Sequence, residues 1–142
     1  MNKWTMFYPD EFSTSDVTDY AAFVYLIQFS DTGEYYIGVK QVWKGIKNHC
    51  EVRDNSSESN WITYDSSSKT VKEYISQGMD HRKQILWCFK SLQEAAVLET
   101  ALIAVLGTDW RCLNKAIMVK TRMKKDNGEQ FRVLQRVIGD LR

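Results

Sequence analysis

The feature that most constrains the fold of this 142-residue chain is a pair of apolar, aromatic-rich segments separated by a short polar turn. Residues 23–29 read Phe-Val-Tyr-Leu-Ile-Gln-Phe, and residues 34–39 read Glu-Tyr-Tyr-Ile-Gly-Val. Between them, positions 30–33 read Ser-Asp-Thr-Gly. Two apolar runs around a short loop that contains Asp and Gly predict a β-hairpin.

The hairpin brings two tyrosines together. If Phe29 pairs with Glu34 across the loop, Tyr25 lies opposite Gly38. Tyr36 then lies diagonally across from Tyr25 on the same face, because opposed residues and residues two apart share a face of the sheet. Both phenol groups would emerge together, with open space beside Tyr25 over the glycine. The pattern predicts a chemical site, although a tyrosine pair buried for packing alone would give the same pattern.

Both strands of this hairpin carry a recognisable motif. Residues 24–27 (Val-Tyr-Leu-Ile) resemble the first half of the motif of the GIY-YIG nuclease family, and residues 36–38 (Tyr-Ile-Gly) reproduce its second half letter for letter. The resemblance covers about residues 23–114. With a third predicted strand at 82–89, we expect a small α+β domain whose three-stranded antiparallel sheet is flanked by helices.

A helix is predicted from Ser91 to Leu106. Ser91 and Glu94 form a capping box at its start, and Gly107 marks its end. Its apolar stripe consists of Ala95, Leu98, Leu102 and Leu106. Glu99 lies on this stripe, where a carboxylate is costly unless it is paired or bound to a cation.

The resemblance implies separate roles for the two glutamates. The family carries its metal-binding glutamate in the pattern Glu-Ala-x-x-Leu-Glu, followed soon after by an asparagine, and residues 94–99 and Asn114 match in that order. Glu99 is thereby implied to bind a divalent cation, Mg²⁺ or Mn²⁺, whereas capping explains Glu94. A salt bridge from Glu99 to a lysine or arginine is the alternative.

Residues 61–69 (Trp-Ile-Thr-Tyr-Asp-Ser-Ser-Ser-Lys) precede another predicted helix, with Val71, Tyr74 and Ile75 on one face and Gly78 at its end. Serines are favoured N-cap residues, so capping alone would explain at least one of them. In a subgroup of the family found largely in phages, Tyr-Ile-Gly-x-Lys is followed by a loop and then by Trp-x-x-Tyr-x-x-Ser-Ser. The matching residues here are Lys40, Trp61, Tyr64, Ser67 and Ser68. Hydroxyls and free amides at a helix start also suit phosphate groups.

The chain departs from the family in one charge. Better-known members carry an arginine on the first helix, soon after the glycine of Tyr-Ile-Gly. Here no arginine occurs between Gly38 and Arg53, and alignment through the serines puts Tyr74 at that place. The cations that would have to replace it are Lys40, Lys69 and Lys72. A lysine lacks the bidentate fork of arginine, so a catalytically impaired module that binds nucleic acid or protein is the alternative function.

Charge is unevenly distributed along the chain, although the net charge is only +1. Residues 111–125 contain basic side chains and no acidic one. We predict that this segment contacts the DNA backbone. Its contact residues would be Lys115, Lys120, Arg122, Lys124 and Lys125. A solvated edge strand protected by lysines is the alternative.

The length suits one folded unit with its own core. We divide it into a lead-in at 1–22, a nuclease-like domain at 23–114 and a basic C-terminal part at 115–142. The lead-in aromatics expected on the core are Trp4, Phe7, Tyr8 and Phe12. The last part is predicted to hold a strand at 116–123 and an amphipathic helix at 129–141, with Phe131, Leu134, Ile138 and Leu141 in line. Such a stripe is core or a homodimer surface.

Cysteine spacing and hydropathy argue against several classes of protein. Cys50, Cys88 and Cys112 lack the paired spacing of a disulfide framework or zinc site. No segment reads as a signal peptide or as an apolar run long enough to span a membrane. We therefore expect a cytoplasmic protein without a membrane partner.

The resemblance implies metal-dependent hydrolysis of phosphodiester bonds, with double-stranded DNA as the partner, in a phage-type or homing-type nuclease. Glu99 would hold the cation. Tyr25, helped by Tyr36, would position or deprotonate the attacking water, for which a phenol pKa of about 10 would have to fall. Lys40 would offset charge on the phosphate, and Asn114 would hold the site together by hydrogen bonds.

Overall fold

The computed structural model describes residues 3–117, 123 and 128–141. Its strands are β1 (Trp4–Met6), β2 (Ala22–Phe29), β3 (Tyr35–Gln41) and β4 (His81–Phe89). Its α-helices are α1 (Lys69–Ser76), α2 (Leu92–Leu106) and α3 (Gly128–Leu141), and short 3₁₀ helices cover Thr14–Asp19, His49–Glu51 and Trp61–Thr63. The fold is α+β, with a mixed sheet flanked by helices.

The hairpin of β2 and β3 has the predicted register. Tyr25 lies opposite Gly38. The Phe29 N–H donates to the Glu34 carbonyl across the turn at 2.8 Å. Gly33 closes this turn with φ of 74°, in the left-handed region that glycine adopts without strain. The turn residues therefore set which side chains share a face.

Over the described residues the sheet has four strands in the order β1-β4-β2-β3, so the predicted count of three strands was wrong. β4 pairs antiparallel with β2, as expected, whereas β1 pairs parallel with the other side of β4. β1 has only three residues, with Trp4 buried. Such a short segment shows too little alternation to be recognised as a strand from sequence.

Two cores lie on opposite faces of the sheet, because successive side chains of β2 point to opposite sides. Val24 and Leu26 pack on the side covered by α2 and α3. Phe23, Tyr25 and Ile27 pack on the side covered by the lead-in and α1. The lead-in aromatics Trp4, Tyr8 and Phe12 are buried and Phe7 is partly buried, which confirms that they fold onto the core.

Both predicted caps are present. The Ser91 hydroxyl accepts the Glu94 N–H at 3.2 Å and donates to the Glu94 carboxylate at 2.9 Å, which starts α2. Gly107 follows the end of α2. At α1, the Ser68 hydroxyl accepts the Val71 N–H at 3.3 Å. Both α1 and α2 therefore begin at a capping serine, as the sequence predicts.

α3 confirms the predicted amphipathic helix, but its apolar face is centred on other residues than the predicted ones. Val133 and Val137 are buried, whereas Phe131 is 62% exposed, so its predicted place on the stripe was wrong. The partly buried residues beside them are Leu134, Ile138 and Leu141. This face packs inside the chain, against the core that α2 also covers. The strand predicted at 116–123 lies mostly outside the described residues, and 116, 117 and 123 belong to no strand.

Two further expectations concern features of the whole chain. Cys50, Cys88 and Cys112 are all free thiols. Across residues 3–117, 123 and 128–141, no helix combines the length and apolar character that crossing a bilayer requires.

Candidate active site

Tyr25 lies at the centre of β2 and is almost fully buried, with 1% of its surface exposed. Its ring packs against those of Trp4, at 5.3 Å between centroids, and Tyr64, at 6.1 Å. A Cβ at position 38 would overlap the Tyr25 ring and hydroxyl, so only glycine admits the phenol there. The expected open space over Gly38 was wrong, because Tyr25 itself fills it.

An irregularity in the sheet adjoins this tyrosine. Tyr25 pairs with Ile85 of β4, whereas the preceding residue, Val24, pairs with Trp87. Leu86 is thus an extra residue, a β-bulge, and it packs in the core on the opposite face from Ile85. Bulges re-aim side chains beside functional sites. Here the bulge leaves both Tyr25 and Ile85 on the site face.

Tyr36 joins Tyr25 on this face, with 6.3 Å between ring centroids and 35° between ring planes. Burial raises the pKa of both phenols above the ordinary value of 10.0. Hydrogen bonds with the hydroxyls of Ser66, at Tyr25, and Ser67, at Tyr36, offset part of the rise. Both phenols are therefore neutral at pH 7 and act as hydrogen-bonding groups.

Glu99 reaches the same site from α2, at the free edge of β3. Burial raises the pKa of its carboxyl to about 7, and a hydrogen bond with the Val39 backbone limits that rise. Its negative charge adds to the raised pKa of Tyr25 and of Tyr36, so the carboxylate lies within electrostatic range of both phenols. Among the described residues, no lysine or arginine forms an ion pair with Glu99.

Asn114 closes the edge of β3 beside these groups. Its amide nitrogen donates to the Ile37 carbonyl at 2.7 Å, and its amide oxygen accepts the Ile37 N–H at 2.9 Å. One step along the strand, Tyr35 donates to the Arg111 carbonyl and accepts from the Leu113 N–H. The side chain of Asn114 therefore continues the pairing of the edge where the backbone stops.

Lys40 provides a positive charge on the tyrosine face. It lies opposite Phe23 in the hairpin, and its ammonium is 4.0 Å from the centroid of the Tyr64 ring. Burial lowers the pKa of this ammonium below the ordinary value of 10.5. In the described part of the chain, no hydrogen bond, ion pair or ring contact brings an arginine to this cluster. Lys40 is therefore the cation that meets the tyrosines here.

The residues predicted to bind phosphate differ in their exposure and in the bonds that their side chains already make. Ser67 contacts Tyr36 and is exposed, whereas the Ser68 hydroxyl is used to cap α1. Of the lysines predicted to contact phosphate, those that are described and exposed are Lys69, Lys72 and Lys115. The remaining predicted DNA contacts, Lys120, Arg122, Lys124 and Lys125, lie outside the described residues.

Three residues that the sequence did not assign to the site also lie here. Ser66 is fully buried and adopts φ of 97°. The neighbouring Asp65 pairs with the ammonium of Lys83 at 3.0 Å. The sequence did contain a signal that the Lys83 side chain points into the core. Lys83 lies two residues before the inward-facing Ile85 of β4, and residues two apart on a strand share a face.

Two phenols, an ammonium and a carboxylate of raised pKa thus meet at one edge of a small mixed sheet, an arrangement suited to a phosphate-containing substrate. The chain belongs to the GIY-YIG endonuclease-domain family. The family model described as "Putative endonuclease segE, GIY-YIG domain" matches residues 4–111, which include β1, Tyr25, Tyr36, Lys40 and Glu99 and end before Asn114. Searches of curated proteins and of solved structures found no match.

Proposed function

We propose that this chain is a divalent-metal-dependent endonuclease that hydrolyses phosphodiester bonds in double-stranded DNA. The family model supports endonuclease activity in general. The observation that carries the finer proposal is Glu99, whose carboxylate acts electrostatically on both tyrosines and forms no ion pair with any described residue. A structural salt bridge is the alternative for such a carboxylate, and the described residues offer it none.

The residues present fit Mg²⁺ or Mn²⁺. The described part of the chain has no group of three or more His, Cys, Asp or Glu that could hold a metal ion. We assign the cation to the single carboxylate of Glu99. Magnesium is commonly bound through one or two carboxylates together with waters and substrate phosphates. Such a cation would polarise the scissile phosphate and stabilise the leaving oxygen.

The other groups have roles that follow from their chemistry. Tyr36 and Tyr25, as neutral phenols, orient the attacking water by hydrogen bonds. The Lys40 ammonium offsets negative charge on the phosphate. We assign contacts with the DNA backbone to Ser67, Ser68, Tyr64, Lys69, Lys72 and Lys115, and from the sequence alone to the basic residues that follow. Asn114 keeps the β3 edge closed beside them.

The wider setting that we propose is a phage-type or homing-type nuclease in the cytoplasm. Its support is the resemblance of residues 36–40 and 61–68 to the phage subgroup. A homodimer through α3 would have to use Phe131, because the buried Val133 and Val137 pack inside the chain.

The alternative is a binding module that retains the fold without catalysis. The observation that favours it is the presence of Lys40, rather than an arginine, on the tyrosine face. A lysine offers a point charge without the bidentate fork that holds a phosphate in a fixed orientation.

The deciding experiment incubates the purified protein with supercoiled plasmid in Mg²⁺, Mn²⁺ or chelator. We expect cleavage with either metal and none with chelator. Glu99→Gln should abolish it, whereas the matched control Glu94→Gln should keep it, because glutamine also serves a capping box. Equal loss in both folded variants would refute the separate roles. Salt-sensitive DNA binding without cleavage by the parent would favour the binding module.

A further inference from the structure

Lys83 is a lysine at the centre of the sheet that the proposed mechanism leaves unused. It lies opposite Trp4 of β1 and Ile27 of β2, and it is 2% exposed. Its ammonium is 3.0 Å from the Asp65 carboxylate and 4.5 Å from the centroid of the Trp4 ring. An apolar side chain of similar volume is often as stabilising as a buried ion pair, so packing alone does not account for this lysine.

The partner of Lys83 holds the start of the serine turn. Ser66, which follows Asp65, has φ of 97°, a conformation that is strained for any residue with a Cβ. Its hydroxyl oxygen accepts the Ser68 N–H at 3.0 Å, and the same hydroxyl lies close enough to the Tyr25 phenol to lower its pKa. Strained residues persist only where the surrounding structure holds them, and they cluster at active sites.

We propose that Lys83 and Asp65 are positioning residues for catalysis. Their ion pair ties the serine turn to β4, which keeps Ser66 in its left-handed conformation and its hydroxyl on Tyr25. The Trp4 ring, in contact with both Lys83 and Tyr25, supports the phenol from the other side. This inference rests on the proposed nuclease function, in which the orientation of the Tyr25 hydroxyl affects the chemical step.

Asp65→Asn tests the proposal, because asparagine removes the charge and keeps an oxygen that can accept a hydrogen bond from Lys83. Since Lys83 is buried, losing its counter-charge also lowers stability, so thermal unfolding is measured alongside to establish that the variant is folded at the assay temperature. We expect kcat to fall by about 10–100-fold with KM and DNA affinity nearly unchanged, as for a small misplacement of a reacting group. Asp65→Glu should restore part of the rate. The matched control is Glu11→Gln, which removes the exposed ion pair with Arg136 and should leave kcat unchanged.

A double-mutant cycle separates positioning from general weakening of the fold. If Asp65 acts through Tyr25, then Asp65→Asn should cause no further loss of kcat in a Tyr25→Phe background. Losses that multiply, or a normal kcat in Asp65→Asn, would overturn the proposal.

A readout that needs no activity distinguishes this proposal from the proposed function. Protein labelled with 3-fluorotyrosine gives a ¹⁹F signal for Tyr25 that disappears in Tyr25→Phe. We expect this signal to shift in Asp65→Asn and in Ser66→Ala, and to stay in place in Glu11→Gln. An unmoved signal in Asp65→Asn would overturn the positioning role. A shifted signal in a protein that cleaves no DNA would support the link from Asp65 to Tyr25 while refuting the nuclease function.

Discussion

The two tyrosines share a face of the sheet but differ in their access to solvent. Tyr25 is buried beneath Tyr64 and Trp4, whereas Tyr36 is partly exposed, beside Ser67 and Glu99. Tyr36 is thus the phenol that a bound phosphate can approach directly. Tyr25 has the more rigid position, because its ring fills the space over a glycine and its hydroxyl bonds a buried serine.

Substituting each tyrosine by phenylalanine tests whether its hydroxyl serves packing or function. Phenylalanine keeps either ring but removes its hydroxyl, so packing alone predicts a stability change of about 1 kcal/mol and normal cleavage. If the hydroxyls orient water, Tyr25→Phe and Tyr36→Phe should each slow the chemical step by about 10²–10⁴-fold with DNA affinity nearly unchanged. Single-turnover cleavage with parallel binding measurements decides this. A fully active double variant would defeat the mechanism.

The raised pKa of Glu99 predicts two effects of pH. The folded carboxyl titrates near 7, above its ordinary value of 4.5, so the folded state binds more protons between these values. Stability should therefore fall as the pH rises from about 4.5 to 7. Cleavage should instead rise through the same region up to pH 7 and beyond, because binding a cation requires the deprotonated carboxylate.

Urea unfolding at pH 5 and pH 8 in chelator measures the first effect. We expect Glu99→Gln to be more stable than the parent at pH 8 by about 1–2 kcal/mol, after allowance for solvent screening of a partly exposed group. The matched variant Glu94→Gln should keep the pH dependence of the parent. An identical pH dependence in Glu99→Gln would show that this carboxyl is not the titrating group.

At the scale of elements, the edge of β3 is the part of the fold that holds the site together. Its outward backbone groups are paired in turn by the segment 111–113, by the Asn114 side chain and by Glu99. An edge strand with unpaired backbone groups would be open to pairing with other chains. Covering β3 therefore protects the fold and brings Asn114 and Glu99 to the same strand edge, at Ile37 and Val39.

Asn114→Ala removes the two hydrogen bonds of this side chain with the Ile37 backbone and leaves the Ile37 N–H and carbonyl unpaired. We expect a loss of about 2–4 kcal/mol in the free energy of unfolding, because each buried polar group left unpaired costs about 1–3 kcal/mol. The Ile37 amide should also exchange faster with solvent. Asn55→Ala, at an exposed loop position, is the control and should change stability by less than about 0.5 kcal/mol. Unchanged exchange at Ile37 would contradict this account.

At the scale of the whole molecule, the two ends of the chain meet on the face opposite the tyrosines. The Tyr8 hydroxyl donates to Asp140 at 2.8 Å, and the Arg136 guanidinium lies 4.4 Å from the Tyr8 ring. Arg136 also pairs with Glu11 at 3.2 Å. These contacts fasten α3 to the lead-in, so the described residues of the C-terminal part belong to the same packed body as the sheet.

Charge placement across the molecule predicts different effects for two lysines. Lys40→Ala should mainly slow turnover at saturating DNA, because its ammonium lies among the tyrosines. Lys115→Ala, at an exposed site next to Asn114, should mainly weaken binding and reduce its salt dependence by about one counterion. Cleavage rates at saturating DNA and binding over a series of salt concentrations test both. Normal turnover in Lys40→Ala would move the replacement for the family arginine to Lys69 or Lys72.

The sequence by itself determined the parts of this protein that depend on neighbouring residues. The hairpin register followed from its turn, and the starts of α1 and α2 followed from serines that bond amides three positions away. The tyrosine face followed from the alternation of side chains along a strand. Each of these signals depends on a few neighbouring residues, so it can be recognised without knowing how the rest of the chain folds.

Only the tertiary structure decided which distant groups meet. Asn114 pairs with Ile37 across 77 positions of sequence, and β1 joins β4 across a comparable separation. The ion pair of Lys83 with Asp65 and the filling of the space over Gly38 depend equally on how strands and loops pack. Such contacts form because burial of two apolar faces brings the elements together, and no local pattern records which polar groups then become neighbours.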